Sequence, residues 1–409
     1  MHILFLTDNF PPEGNAPATR TFEHACEWVK KGHKVTVITC APNFPEGKVF
    51  DGYKNEWLSK QEMEGINVWR VKTYITANKG IIKRTIDFIS FMLSSLFFGL
   101  FTGKVDVVIG TSPQFFTVIS AWALAKFKRA PFVFELRDIW PASITAVEAM
   151  KRSWIIKVLE KLELFLYHQA DLIISVTHSF KQELQNRGVL ADKIKVVLNG
   201  VDLSKYKPLP EKDKALSEEY KLQGKFVAGY IGTHGLAHGL DNIIKVAELL
   251  KADDSIRIVF AGGGADRERL EKLVLSSDLS NVVMIPRQPK EHMPKIWSLC
   301  DVSLVSLKDA PLFSKVIPSK IFESMAMGLP IIISVPEGES TNIIRTQNVG
   351  LVIPPESPNR LAEVLLNIKN DNDMYNTYAK NSCLAANKFN RKKLSIKMLD
   401  YIVGLRQNS

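Results

Sequence analysis

Short apolar runs alternate along this chain with longer stretches of helical periodicity. His2 to Thr7, Lys34 to Cys40, Asp106 to Gly110, Pro131 to Leu136, Asp171 to Val176 and Ile194 to Leu198 read as strands buried on both faces, the signature of a parallel sheet. Between them, Ala18 to Lys31 carries a 3.6-residue period and ends at Gly32, a helix reaches about Lys126 after Thr111-Ser112-Pro113, and Ser153 to Gln169 and His178 to Arg187 follow. The pattern then repeats. Phe226 to Ile231, Ile256 to Ala261, Val282 to Ile285, Val302 to Leu307, Ile331 to Val335 and Val349 to Ile353 are strands. Helices are predicted from Leu240, from Asp266 and over Pro289 to Leu299, Ser357 to Ile368, Met374 to Phe389 and Arg391 to Gly404. Strand–helix alternation of this kind builds doubly wound α/β units. Lys205 to Leu222 is polar, holds Pro208 and Pro210, and reads as the linker between two of them.

Two stretches depart from the alternation. Residues 41–78 hold Pro42, Pro45, Gly47 and Gly52 and read as an insertion with a β-rich element at Ile66 to Tyr74. Ile81 to Phe101 is apolar on nearly all faces, preceded by Lys79, with Lys83 and Arg84 at its start and Lys104 closing it. Its uncharged run is shorter than the roughly 20 residues a spanning helix needs. It is therefore either a helix buried against the sheet or one that dips into a membrane interface with its basic flank on anionic headgroups.

Composition narrows the class. The chain has 409 residues, 46% hydrophobic and 23% charged, as expected of globular domains with cores of their own. The net charge of +10 fits phosphorylated or lipid partners, since no nucleic-acid-binding module is present in the pattern. Cys26, Cys40, Cys300 and Cys383 lack metal or redox spacing, so reduced thiols in a cytosolic protein are expected, with no metal required. The chain opens directly on a strand, without a visible signal peptide.

Candidate chemistry gathers where strands end, since ligands of α/β sheets bind at the carboxyl edge. Pro318 to Pro330 reads as a short helix with Ser319 as N-cap, Gly328 at its end and Pro330 beyond. Lys320 adds a cation near the helix start, and Glu323, one turn in, can accept two hydroxyls. A phosphate clamp followed by a diol clamp suits a nucleoside diphosphate. The loop Gly232-Thr233-His234-Gly235-Leu236-Ala237-His238-Gly239 has three glycines between strand and helix, which lets backbone N–H groups approach phosphate oxygens. Arg137 and Asp138 stand directly after a buried strand and face ligand or pair with each other. Gly14, after Pro11 and Pro12, is a turn or a close-approach point.

Together these segments resemble glycosyltransferase family 4, enzymes of GT-B fold. Glu323 matches the second of the family's two glutamates, Lys315 stands where the first would be, and Asn199-Gly200-Val201-Asp202 resembles the family's hallmark at the end of the amino-terminal domain. The Pro-Ser-Lys preceding Glu323 is similar to a subgroup of bacterial surface-polysaccharide enzymes that includes N-acetylfucosamine transferases. The resemblance implies two Rossmann-like domains facing across a cleft: 1–203 for the acceptor, 204–388 for the nucleotide sugar, and a helix at 389–409 returning to the first domain. It implies that Asp138 faces the reacting sugar or acceptor hydroxyl, that Arg137 meets an acceptor phosphate, and that Lys320, with Lys315, Ser319, Gly232, Thr233 and His234, holds the donor diphosphate. Glu323 would hold the ribose, Arg287 would lie by the nucleobase, and Gly14 would contact acceptor or donor phosphate. The expected reaction is retaining transfer from a UDP-sugar, with an N-acetylated amino or deoxyamino sugar moving to an undecaprenyl-diphosphate-linked saccharide. The expected location is the cytoplasmic face of the plasma membrane, through residues 79–104. A UDP-sugar 2-epimerase of the same fold, or a non-catalytic nucleotide-sugar-binding subunit, remain as alternatives at this point.

Overall fold

The computed structural model describes residues 1–44, 46–76, 81–141 and 154–407, so Pro45, Lys79 and Ser153 lie outside the described residues. The chain divides into two compact units, Met1–Leu198 with Arg391–Ser409, and Asn199–Asn390.

The first unit is built on one sheet of β1 (His2–Leu6), β2 (Lys34–Cys40), β3 (Leu58–Met63), β4 (Ile66–Val71), β5 (Val107–Thr111), β6 (Phe132–Leu136), β7 (Leu172–Ser175) and β8 (Ile194–Val196), in the order β3-β4-β2-β1-β5-β6-β7-β8. Every pairing is parallel except β3 with β4. The insertion thus adds a hairpin to one edge. Only β4 was legible in sequence, because β3 (Leu-Ser-Lys-Gln-Glu-Met) buries none of its residues fully. The helices are α1 (Ala16–Lys30), α2 (Ile81–Gly99), α3 (Phe115–Lys128), α4 (Trp154–Gln169) and α5 (His178–Asn186). Asn15 caps α1, its side chain accepting from Ala18 N.

In the second unit β9 (Phe226–Ile231), β10 (Ile256–Ala261), β11 (Val282–Ile285), β12 (Val302–Ser306), β13 (Ile331–Ser334) and β14 (Gly350–Ile353) form a parallel sheet ordered β11-β10-β9-β12-β13-β14. Read from its own first strand this is the 3-2-1-4-5-6 order of a dinucleotide-type fold. Its helices are α6 (Lys214–Glu219), α7 (Asp241–Leu249), α8 (Arg267–Ser276), α9 (Met293–Ser298), α10 (Lys320–Ala326), α11 (Glu339–Gln347), α12 (Pro358–Asn370) and α13 (Asn372–Ala386). The segment expected as a plain linker contains α6, capped by the Asp213 side chain on Leu216 N, with Leu222 fully buried behind it. A polar surface with one buried edge reads as linker until the partner of that edge is known.

The last helix, α14 (Arg391–Gln407), packs on α1 in the first unit. Trp28 Nε1 donates to Ser395 O at 3.0 Å, and Arg391 pairs with Glu23. Both sheets reverse strand order beside their first strand, between β1 and β5 and between β9 and β12. Those are the places where loops part and ligand crevices form.

Candidate active site

At the switch point of the second sheet, the loop after β9 meets the start of α10. Gly232 has φ of 140° and lies so close to Lys320 that a Cβ there would stand 3.2 Å from its Nζ. The loop also clings to its neighbour after β10. Gly232 N donates to Ala261 O and His234 N to Gly263 O, both at 2.9 Å, and a Cβ on Gly262 would overlap Gly232 O. Glycine is required at both positions. Arg267 pins the second turn, Nη1 donating to Gly262 O at 2.6 Å and to Ile285 O at 2.8 Å.

Lys320 is buried, and its Nζ has no hydrogen-bond partner. It rests 3.3 Å from the centre of the Tyr230 ring, whose hydroxyl donates to Thr233 O at 2.8 Å. The aromatic face offsets part of the desolvation. Burial still drives the ammonium pKa well below its ordinary value, with Glu323 acting in the opposite sense. His234 is fully buried with neither ring nitrogen partnered, and burial, then Arg267 and Lys320, bring its pKa down to about 4. Burial, with Lys320, brings His238 to about 3. Both are therefore neutral at physiological pH, and not partly charged as a solvated loop histidine would be.

Glu323 is half-exposed one turn along α10. Ser319 occupies the cap position, but with α-region backbone and no side-chain hydrogen bond, so the expected cap is not made. What anchors α10 instead is Ser324, whose hydroxyl donates to Ser303 Oγ on β12 at 2.7 Å, and Phe322, whose ring packs tilted against that of Phe389 with centroids 4.8 Å apart. Thr233 is exposed beside the glycine loop. Arg287 is exposed after β11, with its Cβ against Gly263. Lys315 ends a 3-10 turn, Pro311–Lys315, whose Ser314 O is so close to Gly338 that no Cβ fits there.

In the first unit Arg137 follows β6. Its backbone N donates to Ser112 Oγ at 2.8 Å, and Asp138 N does so at 3.3 Å, which holds both residues against the end of β5. Arg137 Nε and Nη1 are buried without a partner. Burial lowers its pKa to about 10, so it stays charged at neutral pH. Glu135 on β6 pairs with Arg20 at 2.9 Å, both buried. Desolvation opposes ionisation of Glu135, and Arg20 and Arg137 outweigh it to hold the carboxyl below its usual range. Gly14 is exposed in the loop after β1, without the left-handed φ expected of a close-approach glycine.

Sequence reading passed over several charged groups here. Glu13 Oε1 accepts from Asn43 N at 2.8 Å and Phe44 N at 2.9 Å, and burial lifts its pKa to about 7. Asp8 follows β1 and Asp87 lies on α2. Burial raises both, Asp87 to about 7 with the Asp8 charge adding to it. A carboxylate inside an apolar run, as at Glu135, was the one signal available.

Known proteins bear on these sites. Residues 18–205 match the family model described as Glycosyltransferase Family 4, and residues 211–383 that described as Glycosyl transferases group 1. The chain is 28% identical over 337 residues to an Escherichia coli protein carrying the name of a colanic acid biosynthesis glycosyl transferase, WcaI, covering 80% of this chain and 82% of that one. A sucrose-phosphate synthase from Thermosynechococcus elongatus superposes over 100% of both chains with a TM-score of 0.80 at 15% identity. Anabaena HepE, solved with UDP-glucose, superposes over 99% of this chain and 100% of its own with a TM-score of 0.74 at 16% identity. At such identities the structural likeness establishes the fold.

Proposed function

This chain belongs to glycosyltransferase family 4, a glycosyltransferase of polysaccharide biosynthesis with the GT-B fold, and from that premise we propose retaining transfer of a sugar from a UDP-linked donor to a lipid-linked saccharide. The observation that carries the reading is the buried, partnerless ammonium of Lys320 against the Gly232 loop, at the switch point of the second sheet. A buried cationic donor without an acceptor is costly, and a diphosphate supplies acceptors and charge together.

In this reading Lys320 and the backbone of Gly232 and Thr233 stabilise the departing diphosphate, the charge that grows in the transition state. Glu323 accepts from the ribose hydroxyls, Arg287 lines the base, and Lys315 and Ser319 flank the phosphates. The leaving phosphate oxygen takes the acceptor's proton as the glycosidic bond forms. The UDP-glucose complex of HepE supports a UDP donor, and the colanic acid name of the relative supports a surface polysaccharide. An N-acetylated donor sugar is the specific form we propose. Asp138 orients the acceptor hydroxyl, Gly14 lies along the acceptor loop, and the unpartnered guanidinium nitrogens of Arg137 suit the diphosphate of an undecaprenyl-linked acceptor.

A membrane-bound acceptor calls for a membrane-facing surface, and α2 supports one. Ser95 and Gly99 face α3, with Ser95 Oγ donating to Ser120 Oγ at 3.1 Å and Gly99 against Leu124, and Phe91 is buried. On the opposite side Ile82, Ile86, Leu93 and Phe97 are exposed along one stripe, Phe101 follows just past its end, and Lys83 and Arg84 flank the stripe's start. A helix apolar on both faces, with one face outward and a basic flank, fits an anionic interface. Among the described residues no helix is long and apolar enough to cross a membrane.

The test is transfer of radiolabelled sugar from UDP donors, UDP-N-acetylated amino sugars included, into lipid extracts. Lys320→Ala and Glu323→Ala should each lower incorporation at least tenfold. Wild-type incorporation in both would overturn the assignment of the site.

A further inference from the structure

Four buried polar atoms of the second unit have no hydrogen-bond partner and lie around one ring. They are His234 Nδ1 and Nε2, His238 Nδ1 and Lys320 Nζ. Lys320 Nζ is 3.3 Å from the centre of Tyr230, and the His234 and His238 rings are 6.0 and 5.9 Å from it. A neutral imidazole offers one N–H and one lone pair, whereas a phosphate offers acceptors alone. A phosphate arriving here can accept from one nitrogen of a neutral ring and leaves the other unsatisfied or repelled. The protonated ring donates from both nitrogens.

We propose that nucleoside diphosphate binding draws a proton from solvent onto the His234–His238 pair, so that the grip on the diphosphate becomes charged as the ligand arrives. The inference rests on the reading of this pocket as the donor-diphosphate site. The groups facing His234 are Lys320 on α10, Arg267 on α8 and Asp266 at its N-cap, His238 in its own loop, and the Tyr230 and Phe260 rings on β9 and β10. Those facing His238 are Lys320, His234 and the backbone of Ser306 on β12. Without ligand the cations and burial outweigh Asp266, and both rings are neutral. A bound dianion or trianion reverses the sign of the local field. The free diphosphate carries one more negative charge than the nucleotide sugar, so it draws the proton more strongly. Its release returns that proton to solvent and is favoured as pH rises.

Calorimetric titration of the full chain with UDP near neutral pH, in buffers of different ionisation enthalpy, reads the proton directly. The expected result is uptake of a measurable fraction of a proton per UDP, and affinity that falls between about pH 6 and about pH 8, approaching tenfold per pH unit for a fully linked proton. Uptake should disappear in His234→Gln. Histidine ring resonances of the wild-type protein give a second measurement that does not depend on the loop of that variant folding, and UDP should move at least one ring to the imidazolium position. UDP that binds without uptake, with the rings remaining neutral, overturns this inference and leaves the donor site standing. UDP that does not bind, or binds equally to Lys320→Ala, overturns the donor site and this inference with it.

Discussion

Lys320 and Tyr230, ninety positions apart in sequence, meet face to face. The ammonium stands 3.3 Å from the ring centre, buried and without a hydrogen-bond acceptor. Cation and ring lie directly against the Gly232 loop, where a Cβ on Gly232 would stand 3.2 Å from Nζ. The aromatic face offsets only part of the cost of burying the ammonium without an acceptor.

Lys320→Met should therefore stabilise the protein while disabling it. Removing an unsatisfied buried donor is expected to return about 1–3 kcal/mol in urea unfolding, with sugar transfer falling about 100-fold or more. The folded-state pKa of Lys320 lies below its unfolded value, so its destabilising effect is fully present at low pH and fades as pH rises toward about 10. The stability gap between Lys320→Met and wild type should narrow over that rise. A variant less stable than wild type at neutral pH would show that the ammonium has a partner.

Gly232→Ala tests the close approach. The φ of 140° disfavours any side chain, and the new methyl would crowd Nζ at 3.2 Å. We expect a loss of about 1–3 kcal/mol in thermal or urea unfolding and UDP affinity at least tenfold weaker. Unchanged affinity would mean that the loop backbone plays no part in holding the ligand.

Glu13 makes a prediction about pH. Its folded pKa, raised to about 7, exceeds the ordinary carboxyl value of 4.5, so the folded state binds more protons between the two. Stability should fall as pH rises through that window and level off above it, by about 3 kcal/mol at most from this group. Glu13→Gln keeps an oxygen for Asn43 N and Phe44 N. It should flatten part of the slope and be more stable than wild type above pH 7, as denaturant titrations at several pH values would reveal.

The α2 stripe can be tested apart from catalysis. Leu93→Glu with Phe97→Glu alters two exposed side chains, 57% accessible each, on the face turned away from α3. Cosedimentation with vesicles rich in anionic lipid should drop severalfold, while UDP binding stays at the wild-type level. Equal cosedimentation would move the membrane surface elsewhere or remove it.

The order of residues was enough to reveal the alternation of strands and helices, the doubling of the α/β unit, the resemblance to the family, and the positions after strand ends where candidate chemistry sits. These follow from apolar runs and glycine loops, which record local burial and local backbone freedom. It could not reach α11, too short and polar to show a period, or the missing Ser319 cap, or the helix inside the expected linker. Nor could it show that His234 and His238 are neutral, that Lys320 is buried, or that α2 leaves one apolar face outward. Each of those depends on which distant side chains remove water from a group or leave it exposed, and desolvation is a property of the packed structure, with no trace in the spacing of residues along the chain.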